Sequence, residues 1–401
     1  MKSSQKPTIY VALSGGVDSA VAAALLVHAG YPVVGVYMKN WADNFGVSAR
    51  CPWEEEVADV EKVATHLGIP WKVYNFEKEY KARVLDYFFS EYKAGRTPNP
   101  DIFCNNLIKF DSFAQRAREE GAAYIATGHY ARRRSMSEFP WEASGTLGLF
   151  TALDATKDQG YFLQRISAEQ LQRATFPLGN YYKKEVRILA QHFGLPNATK
   201  KDSQGICFVG DIDVRDFIRE HLDTNPGDIV DIQSGDVVGR HQGLWFYTIG
   251  QRQGIGVSST DAPYFVVKKE PSSNQLYIAQ GHDNAHLLKE NIAVAQLHSI
   301  SEQFYEGQEV MVALRYRERP YRATITNFVN DRAMVVSQDS RMFWAPAEGQ
   351  GVMICEGEKE DKYAEKTQVS SSASDLYKYF TGNETRTEIR EVEILGGGIV
   401  S

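Results

Sequence analysis

The first 130 residues alternate between short apolar runs and longer stretches rich in helix-forming residues. The apolar runs predict four strands, at residues 8–13, 33–38, 71–76 and 124–127. The stretches between them predict helices at residues 20–29, 54–67, 80–92 and 106–120. Strands that alternate with helices favour an α/β fold with a doubly wound parallel sheet, whose ligand crevice lies at the carboxyl ends of the strands.

The pattern changes after Asp202, where the helical periodicity largely disappears. Short apolar runs separated by glycine-containing turns predict strands within residues 227–238, 243–256 and 264–280. Further runs at 309–316, 322–328, 333–337, 351–355 and 392–399 predict a small antiparallel β-barrel or sandwich. We therefore predict three domains, at residues 1–209, at 210–285 (small and mostly β) and at 286–401 (a C-terminal β-barrel domain).

The composition is that of an ordinary globular protein. The 401 residues are 43% hydrophobic and 24% charged, which excludes a disordered, collagen-like or coiled-coil chain. No apolar run approaches the roughly 18 residues needed to cross a bilayer, and the first residues lack the layout of a signal peptide. We therefore expect the protein in the cytoplasm, with its four cysteines free or chemically employed.

The net charge of −7 would argue against a polyanionic partner if it were spread evenly. Residues 356–393, however, hold ten acidic and six basic side chains, so the rest of the chain is close to neutral. The basic clusters at 132–134, 183–184 and 315–322 are candidates for phosphate contact, although each alone is more typical of a solvated surface. The polar stretch near 356–387 is predicted to be an insertion in the C-terminal domain.

One glycine-containing segment joins the first predicted strand to the first predicted helix. It consists of Ala12, Leu13, Ser14, Gly15, Gly16, Val17, Asp18 and Ser19. Two glycines let the backbone fold closely around an anion, and a helix N-terminus favours a phosphate there. The serine hydroxyls add donors, and Asp18 either holds a magnesium ion or caps the helix. The segment matches neither GxxxxGK[ST] nor GxGxxG, which argues against a Walker-type cradle and a dinucleotide fold.

Two of the four cysteines lie in settings that favour a thiolate. Cys104 follows the stiff segment 98–101 and stands where a helix is predicted to begin, and a helix N-terminus lowers the pKa of a thiol. Cys207 lies in a polar, glycine-containing loop that follows two lysines. Either cysteine taken alone is more often an inert thiol, and we interpret Cys51 and Cys355 as inert.

Seven segments together resemble bacterial tRNA-specific 2-thiouridylases, a family of the PP-loop ATP pyrophosphatase superfamily. They are SGGVDS at 14–19, GVYMKNW at 35–41, AGRTPNPD at 94–101, ATGHY at 126–130, KDQ at 157–159, DSQGICF at 202–208 and LGGGI at 395–399. The resemblance implies an ATP-dependent enzyme that adenylates the wobble uridine of tRNA at C2 and replaces the oxygen with persulfide sulfur, releasing AMP and pyrophosphate. It also implies Mg²⁺ as a cofactor and a sulfur-donor protein, a cysteine desulfurase or a persulfide relay carrier, as a partner.

The same resemblance implies roles for individual residues. Cys207 would carry the persulfide, Cys104 would release its terminal sulfur or form a transient disulfide with Cys207, and Asp101 would take up a proton of the base. The implied ATP-binding positions are residues 12–19 with Met38 and Gly128. The implied tRNA-binding positions are Asn99, Pro100, Asp101, His129, Lys157, Asp158, Gln159, Arg315, Tyr316 and Gln350.

Two details of the sequence qualify these roles. The period of two in Arg315, Arg317 and Arg319 predicts a strand that points three guanidinium groups to one side, which suits a phosphate backbone. A solvated strand face is the alternative interpretation. Asn106 and Gly160 stand where the family commonly has a basic residue and a serine, which would alter tRNA contact. No cysteine or histidine spacing indicates a zinc or iron–sulfur site, and we predict no such metal centre.

Two other functions stay open on the sequence. An amide-forming ligase with the same nucleotide-binding loop would need ATP but no reactive cysteine. A tRNA-binding module that has lost catalysis would bind tRNA without converting ATP to AMP. Substitution of the two cysteines distinguishes the first alternative, and AMP formation in the presence of tRNA distinguishes the second.

Overall fold

The computed structural model describes residues 6–40, 53–134, 147–202, 214–259, 261–338, 340–357 and 392–401. The predictions for Cys51, for Cys207 and for most of the polar insertion near 356–387 lie outside these residues. In the part of the chain that is described, no helix combines the length and the apolar character required to cross a membrane.

The N-terminal part contains seven strands and nine helices within its described residues. In chain order they are β1 (Ile9–Ala12), α1 (Val17–His28), β2 (Val33–Lys39), α2 (Trp53–Leu67), β3 (Trp71–Asn75), α3 (Glu77–Tyr80), α4 (Asp86–Lys93), α5 (Pro100–Phe103), α6 (Ala114–Glu119), β4 (Tyr124–Ala126), β5 (Arg132–Arg134), β6 (Gly148–Phe150), α7 (Gly160–Leu163), α8 (Ala168–Gln172), β7 (Ala174–Thr175) and α9 (Lys183–His192). The π-helical segments Lys81–Leu85 and Cys104–Phe113 join α3 to α4 and α5 to α6.

Five of these strands form a parallel sheet in the order β3-β2-β1-β4-β7. Alternate residues of β1 and β2 are buried on opposite faces. Val36 and Met38 contact the core cluster that includes the helix Cys104–Phe113, whereas Tyr37 contacts the cluster that includes α1 and α2. Helices therefore cover both faces, because a parallel sheet of apolar strands is stable only when both faces are buried. The predicted doubly wound sheet is confirmed.

The central part forms a separate four-stranded sheet. Its elements are α10 (Val214–His221), β8 (Gly227–Asp231), β9 (Val237–His241), β10 (Tyr264–Glu270) and β11 (Gln275–Gln280), with the strand order β10-β11-β8-β9. The strand predicted within 243–256 is wrong. That stretch holds a 3₁₀ turn, Leu244–Phe246, and then irregular chain. Gly250 and Gly256 have φ angles of 84° and 83°, a conformation that an extended strand does not contain.

The C-terminal part is a closed six-stranded antiparallel barrel. Its strands are β12 (Leu288–Lys289), β13 (Asn291–Ser299), β14 (Glu309–Ala313), β15 (Tyr321–Val329), β16 (Arg332–Ser337), β17 (Phe343–Trp344), β18 (Gly351–Glu356) and β19 (Glu393–Val400). The barrel order is β13-β16-β15-β14-β18-β19, and pairing of β13 with β19 closes it, while β12 pairs with β17 outside the barrel. The predicted barrel is confirmed.

Two strands from the first half of the chain extend the sheet of the barrel. Strand β6 pairs with β19 through Phe150 and Leu149, and β5 pairs with β6. This attachment was not predicted, because residues 132–150 were assigned to the N-terminal domain. The boundaries near 209 and 285 stay predictions. Residues from the first half of the chain thus take part in the sheet of the barrel, while the parallel sheet is separate from it.

Candidate functional site

The loop between β1 and α1 lies at the carboxyl edge of the parallel sheet. Gly15 has a φ of 72°, and a Cβ atom there would lie 3.0 Å from the carbonyl oxygen of Glu56. Gly16 is the N-cap of α1, and no side chain caps it. The first N–H groups of α1 and its dipole are therefore not neutralised by a capping side chain, which is the arrangement that favours an anion.

The two serines of the loop shape its backbone. The N–H of Ser14 donates to Ser19 Oγ at 3.2 Å, and the Ser19 hydroxyl lies 3.2 Å from the carbonyl oxygen of Gly16. Ala12, Leu13 and Val17 are buried and anchor the loop in the core. These three residues would contact a ligand through their backbone atoms rather than through their side chains.

Met38 and Gly128 reach the same edge from neighbouring strands. Met38 lies near the end of β2 with a buried side chain, and Gly128 follows β4. A Cβ atom on Gly128 would lie 2.7 Å from the backbone nitrogen of Ser19, so only glycine permits this approach to α1. The fold therefore brings together all the predicted ATP-binding positions, which we call the nucleotide cluster: residues 12–19, Met38 and Gly128.

Asp18 stands in a network of ion pairs beside the loop. Lys183 Nζ lies 2.6 and 2.7 Å from the two carboxylate oxygens of Asp18, and the hydroxyl of Tyr130 donates to Oδ1 at 2.9 Å. The same ammonium lies 2.8 Å from Asp202 Oδ1. Asp202 also pairs with Lys157 at 2.9 Å and with Arg187 at 2.6 Å.

These neighbours set the protonation of the network. Burial raises the pKa of Asp202, but hydrogen bonds from Lys183 and Lys157 outweigh it and lower that pKa to about 2. Burial, together with the charge of Asp18, raises the pKa of Tyr130. Asp202 is therefore ionised at neutral pH. The Tyr130 phenol keeps its proton and donates a hydrogen bond to Asp18.

Cys104, the first of the two cysteines predicted to be reactive, lies in a helix that begins earlier than predicted. Asn99 Oδ1 accepts hydrogen bonds from the backbone nitrogens of Asp101 and Ile102 at 3.1 and 3.4 Å, and Pro100 occupies the first position of α5. Cys104 consequently stands in the second turn, and its side chain is completely buried. A helix N-terminus acts mainly within its first turn, so the predicted reason for a low thiol pKa is wrong.

The segment 157–159 is tied into the protein as a turn. Asp158 accepts hydrogen bonds from the backbone nitrogens of Ala152 and Gly160 at 2.5 and 3.1 Å, and Gln159 Oε1 accepts from Tyr130 N at 2.9 Å. Burial raises the pKa of Asp158 to about 6 despite these hydrogen bonds. Asp158 and Gln159 thus use their side chains to hold the chain locally.

His129 follows Gly128 but its ring is buried. Nδ1 lies 2.8 Å from the hydroxyl of Thr127. Burial, aided by the charge of Lys109, lowers the pKa of His129 well below its usual value. The ring is therefore neutral at physiological pH, and an ionic contact with phosphate is not available to it.

The predicted alignment of arginines on a strand face is wrong. Strand β14 ends at Ala313, and residues 315–317 form a turn in which Arg317 has a φ of 63°. The guanidinium of Arg315 donates to the carbonyl oxygens of Trp344 and Ala345 at 3.0 and 2.6 Å. Alternation along a strand cannot apply to a turn, so the guanidinium groups do not share one face by that rule.

Several predicted tRNA-binding positions nevertheless lie beside the contacts between the barrel and the N-terminal part. The N–H of Thr97, just before Asn99, donates to the carbonyl oxygen of Glu348 at 2.7 Å, just before Gln350. The Tyr161 hydroxyl lies 2.9 Å from Leu314 O, next to Arg315. Phe162 packs on Tyr316 with ring centroids 4.7 Å apart. We call Asn99, Pro100, Asp101, Arg315, Tyr316 and Gln350 the interface cluster.

Four members of the ion-pair network were not predicted as site residues. They contact Asp18 or one another and come from distant parts of the chain: Tyr130, Lys183, Arg187 and Asp202. Tyr130 and Asp202 belong to the segments ATGHY and DSQGICF, to which no role for these two residues was assigned, and the pair Lys183 and Lys184 does not say which lysine faces the loop. Among the described residues, no group of three or more His, Cys, Asp or Glu side chains is placed to hold a metal ion.

Comparisons with known proteins identify the family of this chain. The family described as "tRNA methyl transferase HUP domain" matches residues 7–211, and "tRNA methyl transferase PRC-barrel domain" matches residues 215–280. A protein of Bacillus licheniformis named "tRNA-specific 2-thiouridylase MnmA" is 41% identical over 88% of this chain and 92% of its own length. Its namesake in Thiobacillus denitrificans is 44% identical over 87% of this chain and 96% of its own length. With identity of this extent along nearly the whole of both relatives, this chain belongs to the tRNA-specific 2-thiouridylase family.

Proposed function

We propose that this protein is a tRNA uridine 2-sulfurtransferase that uses ATP to convert the wobble uridine of tRNA into 2-thiouridine. The observation that carries the proposal is the uncapped N-terminus of α1, which meets Met38 and Gly128 at the carboxyl edge of the sheet. The names of the relatives, all tRNA-specific 2-thiouridylases, supply the substrate and the product.

The first chemical step is activation of the base. The C2 oxygen of uridine attacks the α-phosphorus of ATP, the bond to the bridging oxygen breaks, and pyrophosphate leaves. The nucleotide cluster would hold the phosphate chain through the backbone N–H groups of residues 14–19. Asp101, in the first turn of α5, would accept the proton of the base.

Asp18 is the residue of the nucleotide cluster that fits a magnesium ion. Magnesium in nucleotide sites is bound by one or two carboxylates, with phosphates and water as the other ligands. Asp18 offers one carboxylate at the N-terminus of α1. When bound, the ion would neutralise charge on the phosphate chain.

The second step transfers sulfur. The terminal sulfur of a Cys207 persulfide attacks C2, and AMP leaves with the electron pair of its bond to C2. The Cys104 thiolate then attacks the Cys207 sulfur, the persulfide S–S bond breaks, and its electrons stay on the sulfur that remains on C2. The resulting Cys104–Cys207 disulfide is returned to two thiols by an external thiol reductant. A sulfur-donor protein, a cysteine desulfurase or a relay carrier, then reloads Cys207.

The short segment between Asp202 and Cys207 limits how far Cys207 can lie from the loop between β1 and α1. Asp202 pairs with Lys183, which pairs with Asp18. Cys207 is five positions after Asp202, and five residue steps span at most about 18 Å. Completely buried Cys104 must become accessible for the exchange, so we expect the α5 region to open during turnover.

The test uses three cysteine variants and two products. We expect Cys104→Ser and Cys207→Ser to form AMP in the presence of tRNA but to lose 2-thiouridine formation by at least about 100-fold. Cys355→Ser is the matched control, because Cys355 is as buried as Cys104 but lies in β18. Mass spectrometry of the tRNA after incubation with ATP, magnesium and a persulfide source measures thiolation.

Each remaining outcome points to one alternative. AMP formation without any 2-thiouridine in the unsubstituted protein as well as in both cysteine variants would reject sulfur transfer and favour an amide-forming ligase. Unchanged 2-thiouridine formation in both variants would reject the two-cysteine mechanism. Absence of AMP with every tRNA offered would favour a tRNA-binding module without catalysis. Loss of thiolation in Cys355→Ser as well would show that the assay reports folding rather than thiol chemistry.

A further inference from the structure

A stack of two rings lies where the barrel meets the central part of the chain. The imidazole of His282, two residues after β11, is nearly parallel to the indole of Trp344 in β17, with ring centroids 4.7 Å apart and 11° between the planes. Trp344 Nε1 donates to the carbonyl oxygen of His282 at 3.0 Å. Buried Phe265 stands at nearly right angles to both rings, with centroids 5.9 and 6.1 Å away. We call His282 and Trp344 the ring stack.

The outer ring of this stack is open to solvent. The side chain of His282 is 64% exposed although it packs on Trp344. Its Nδ1 lies 2.9 Å from Asp283 Oδ1, which orients the imidazole. A flat ring that is supported on one face and open to solvent loses little entropy when a ligand stacks on it. Histidine is one of the side chains on which unpaired bases of RNA stack.

The surface around the ring stack is basic. Residues 315–322 and 341–344 are neighbours in space, because the backbone nitrogen of Trp344 donates to the Tyr321 hydroxyl at 3.2 Å. Their only carboxylate is Glu318, which accepts hydrogen bonds from the protein's own backbone and from Tyr321. Against it stand five arginines, Arg315, Arg317, Arg319, Arg322 and Arg341. Excess positive charge beside an aromatic ring is typical of surfaces that bind single-stranded nucleic acid.

Two of these arginines are held in place by neutral groups. Arg315 lies over the Trp344 ring, 4.9 Å from its centroid, and donates to the carbonyl oxygens of Trp344 and Ala345 at 3.0 and 2.6 Å. Arg341 donates to the carbonyl oxygens of residues 319 and 320 at 2.6 and 2.8 Å. Carbonyl oxygens carry no net charge, so these contacts orient the guanidinium groups without neutralising them. Oriented guanidinium groups bind phosphate oxygens well.

We propose that an unpaired base of tRNA stacks on the exposed face of His282, while the arginines around the ring stack bind the phosphates near that base. This inference rests on the proposed function, which identifies the RNA as tRNA. The ring stack adjoins the interface cluster through Arg315, and it extends the predicted tRNA surface to the central part of the chain. The target uridine must reach the nucleotide cluster on the parallel sheet, so the base on His282 is a different one.

The test removes the ring of His282 and then restores a ring of another kind. We expect His282→Ala to raise the dissociation constant for tRNA at least about fivefold, the lower end of the cost of losing one stacked base. His282→Phe keeps a flat ring without the imidazole nitrogens and should stay within about twofold of the original value. His286→Ala is the matched control, because His286 is an exposed histidine four residues later. Fluorescence anisotropy of a labelled, unmodified tRNA transcript with the full-length protein measures all of these.

A blunt RNA duplex separates base stacking from phosphate contact. It offers phosphates but no unpaired internal base, so His282→Ala should change its dissociation constant less than about twofold. Equal weakening of tRNA and duplex binding by His282→Ala would overturn the proposal, as would an unchanged affinity of that variant for tRNA. Failure of a folded His282→Phe to retain affinity would mean that the imidazole nitrogens, rather than stacking, bind the RNA, and the proposal would again be wrong.

These measurements are independent of the chemistry under the proposed function. None of them uses ATP or a sulfur source. A protein that binds tRNA through His282 as expected but never thiolates it would refute the proposed function alone. Thiolation of tRNA by a protein whose tRNA affinity does not depend on the ring of His282 would refute only the role of the ring stack.

Discussion

The nucleotide cluster and the interface cluster are assembled by different means. In the nucleotide cluster, eight of the ten positions are consecutive, and the parallel sheet delivers Met38 and Gly128 to the same edge. In the interface cluster, residues 99–101, 315–316 and 350 lie beside contacts that the barrel makes with the N-terminal part, such as those of Thr97 with Glu348 and of Tyr161 with Leu314. The first cluster depends on one strand–loop–helix unit, and the second depends on the packing of distant segments.

This difference predicts that substitutions in the two clusters impair different functions. A substitution in the strand–loop–helix unit should affect ATP chemistry without moving the barrel. A substitution where the barrel contacts the N-terminal part, which we call the docked surface, should affect tRNA binding and stability without changing the nucleotide loop, because distant sites without shared partners usually act independently. The predictions that follow use this expected independence.

The largest expected effect is on ATP chemistry. Asp18→Asn removes the carboxylate that pairs with Lys183 and fits a metal ion, and we expect AMP formation to fall at least about 100-fold. The dissociation constant for tRNA should stay within about twofold of the original value. Asp111→Asn, in an exposed ion pair with Arg83, is the control for loss of one carboxylate. Equal loss of AMP formation and tRNA affinity would mean that the clusters are not independent.

The positions of the nucleotide cluster can be predicted from the sequence because the pattern that indicates them lies mostly in consecutive residues. A glycine turn between an apolar run and a helix is visible in consecutive residues, and parallel topology then determines the edge at which the strands end. The ion pair between Asp18 and Lys183 is different, since the two residues are 165 positions apart. Only the packing of α9 against α1 shows that Lys183, and not Lys184, faces the loop.

The interface cluster shows where sequence patterns fail. The period of two in Arg315, Arg317 and Arg319 is present, yet the positive φ of Arg317 places it in a turn. The short strands β5 and β6 are stabilised by pairing with β19, more than 240 residues later in the chain. Neither feature has a local signal, because tertiary contacts override strand propensity.

The docked surface can be disrupted at a single glycine. A Cβ atom on Gly397 would overlap Gln164 Oε1 and lie 2.5 Å from the carbonyl oxygen of Val352, so Gly397→Ala forces β19 and α7 apart. We expect a loss of about 1–3 kcal/mol in stability and a tRNA affinity about tenfold lower, with ATP affinity unchanged. Gly239→Ala is the control, because its Cβ would approach only movable side chains, nearest the Val257 methyl at 3.0 Å. A simultaneous fall in ATP affinity would contradict the independence of the clusters.

A smaller effect should follow from removal of one hydroxyl at the same surface. The buried Tyr161 hydroxyl lies 2.9 Å from Leu314 O and 3.0 Å from Gly351 O, and its one hydrogen serves both carbonyl groups. Tyr161→Phe leaves them without this donor and should cost about 1–2 kcal/mol. Urea denaturation measures the loss, with Tyr305→Phe as a control because Tyr305 is exposed. An unchanged midpoint would show that the barrel does not depend on this contact.

The smallest expected effect is a change in the pH dependence of stability. Two carboxylates contribute to it in opposite directions as the pH rises. The pKa of Asp202 is lowered to about 2, so its ion pairs stabilise the fold above about pH 4 and are lost as the pH falls toward 2. The pKa of Asp158 is raised to about 6 by burial, so the folded state binds its proton more tightly than the unfolded state. Stability from Asp158 is therefore present below about pH 4 and is lost as the pH rises through 6.

Asp158→Asn separates the contribution of Asp158 to the pH dependence of stability from that of Asp202. The amide cannot ionise, so the variant should gain about 1 kcal/mol relative to the original protein between pH 4.5 and pH 7, the partial exposure of Asp158 keeping the effect small. Asparagine also has one acceptor oxygen fewer than the carboxylate for the N–H groups of Ala152 and Gly160, and this loss reduces the gain where the original Asp158 is ionised. Urea midpoints across this range measure the slope rather than the offset. Parallel curves for the two proteins would mean that Asp158 ionises alike in the folded and unfolded states, and the turn at 157–159 would then hold its carboxylate in a solvated environment.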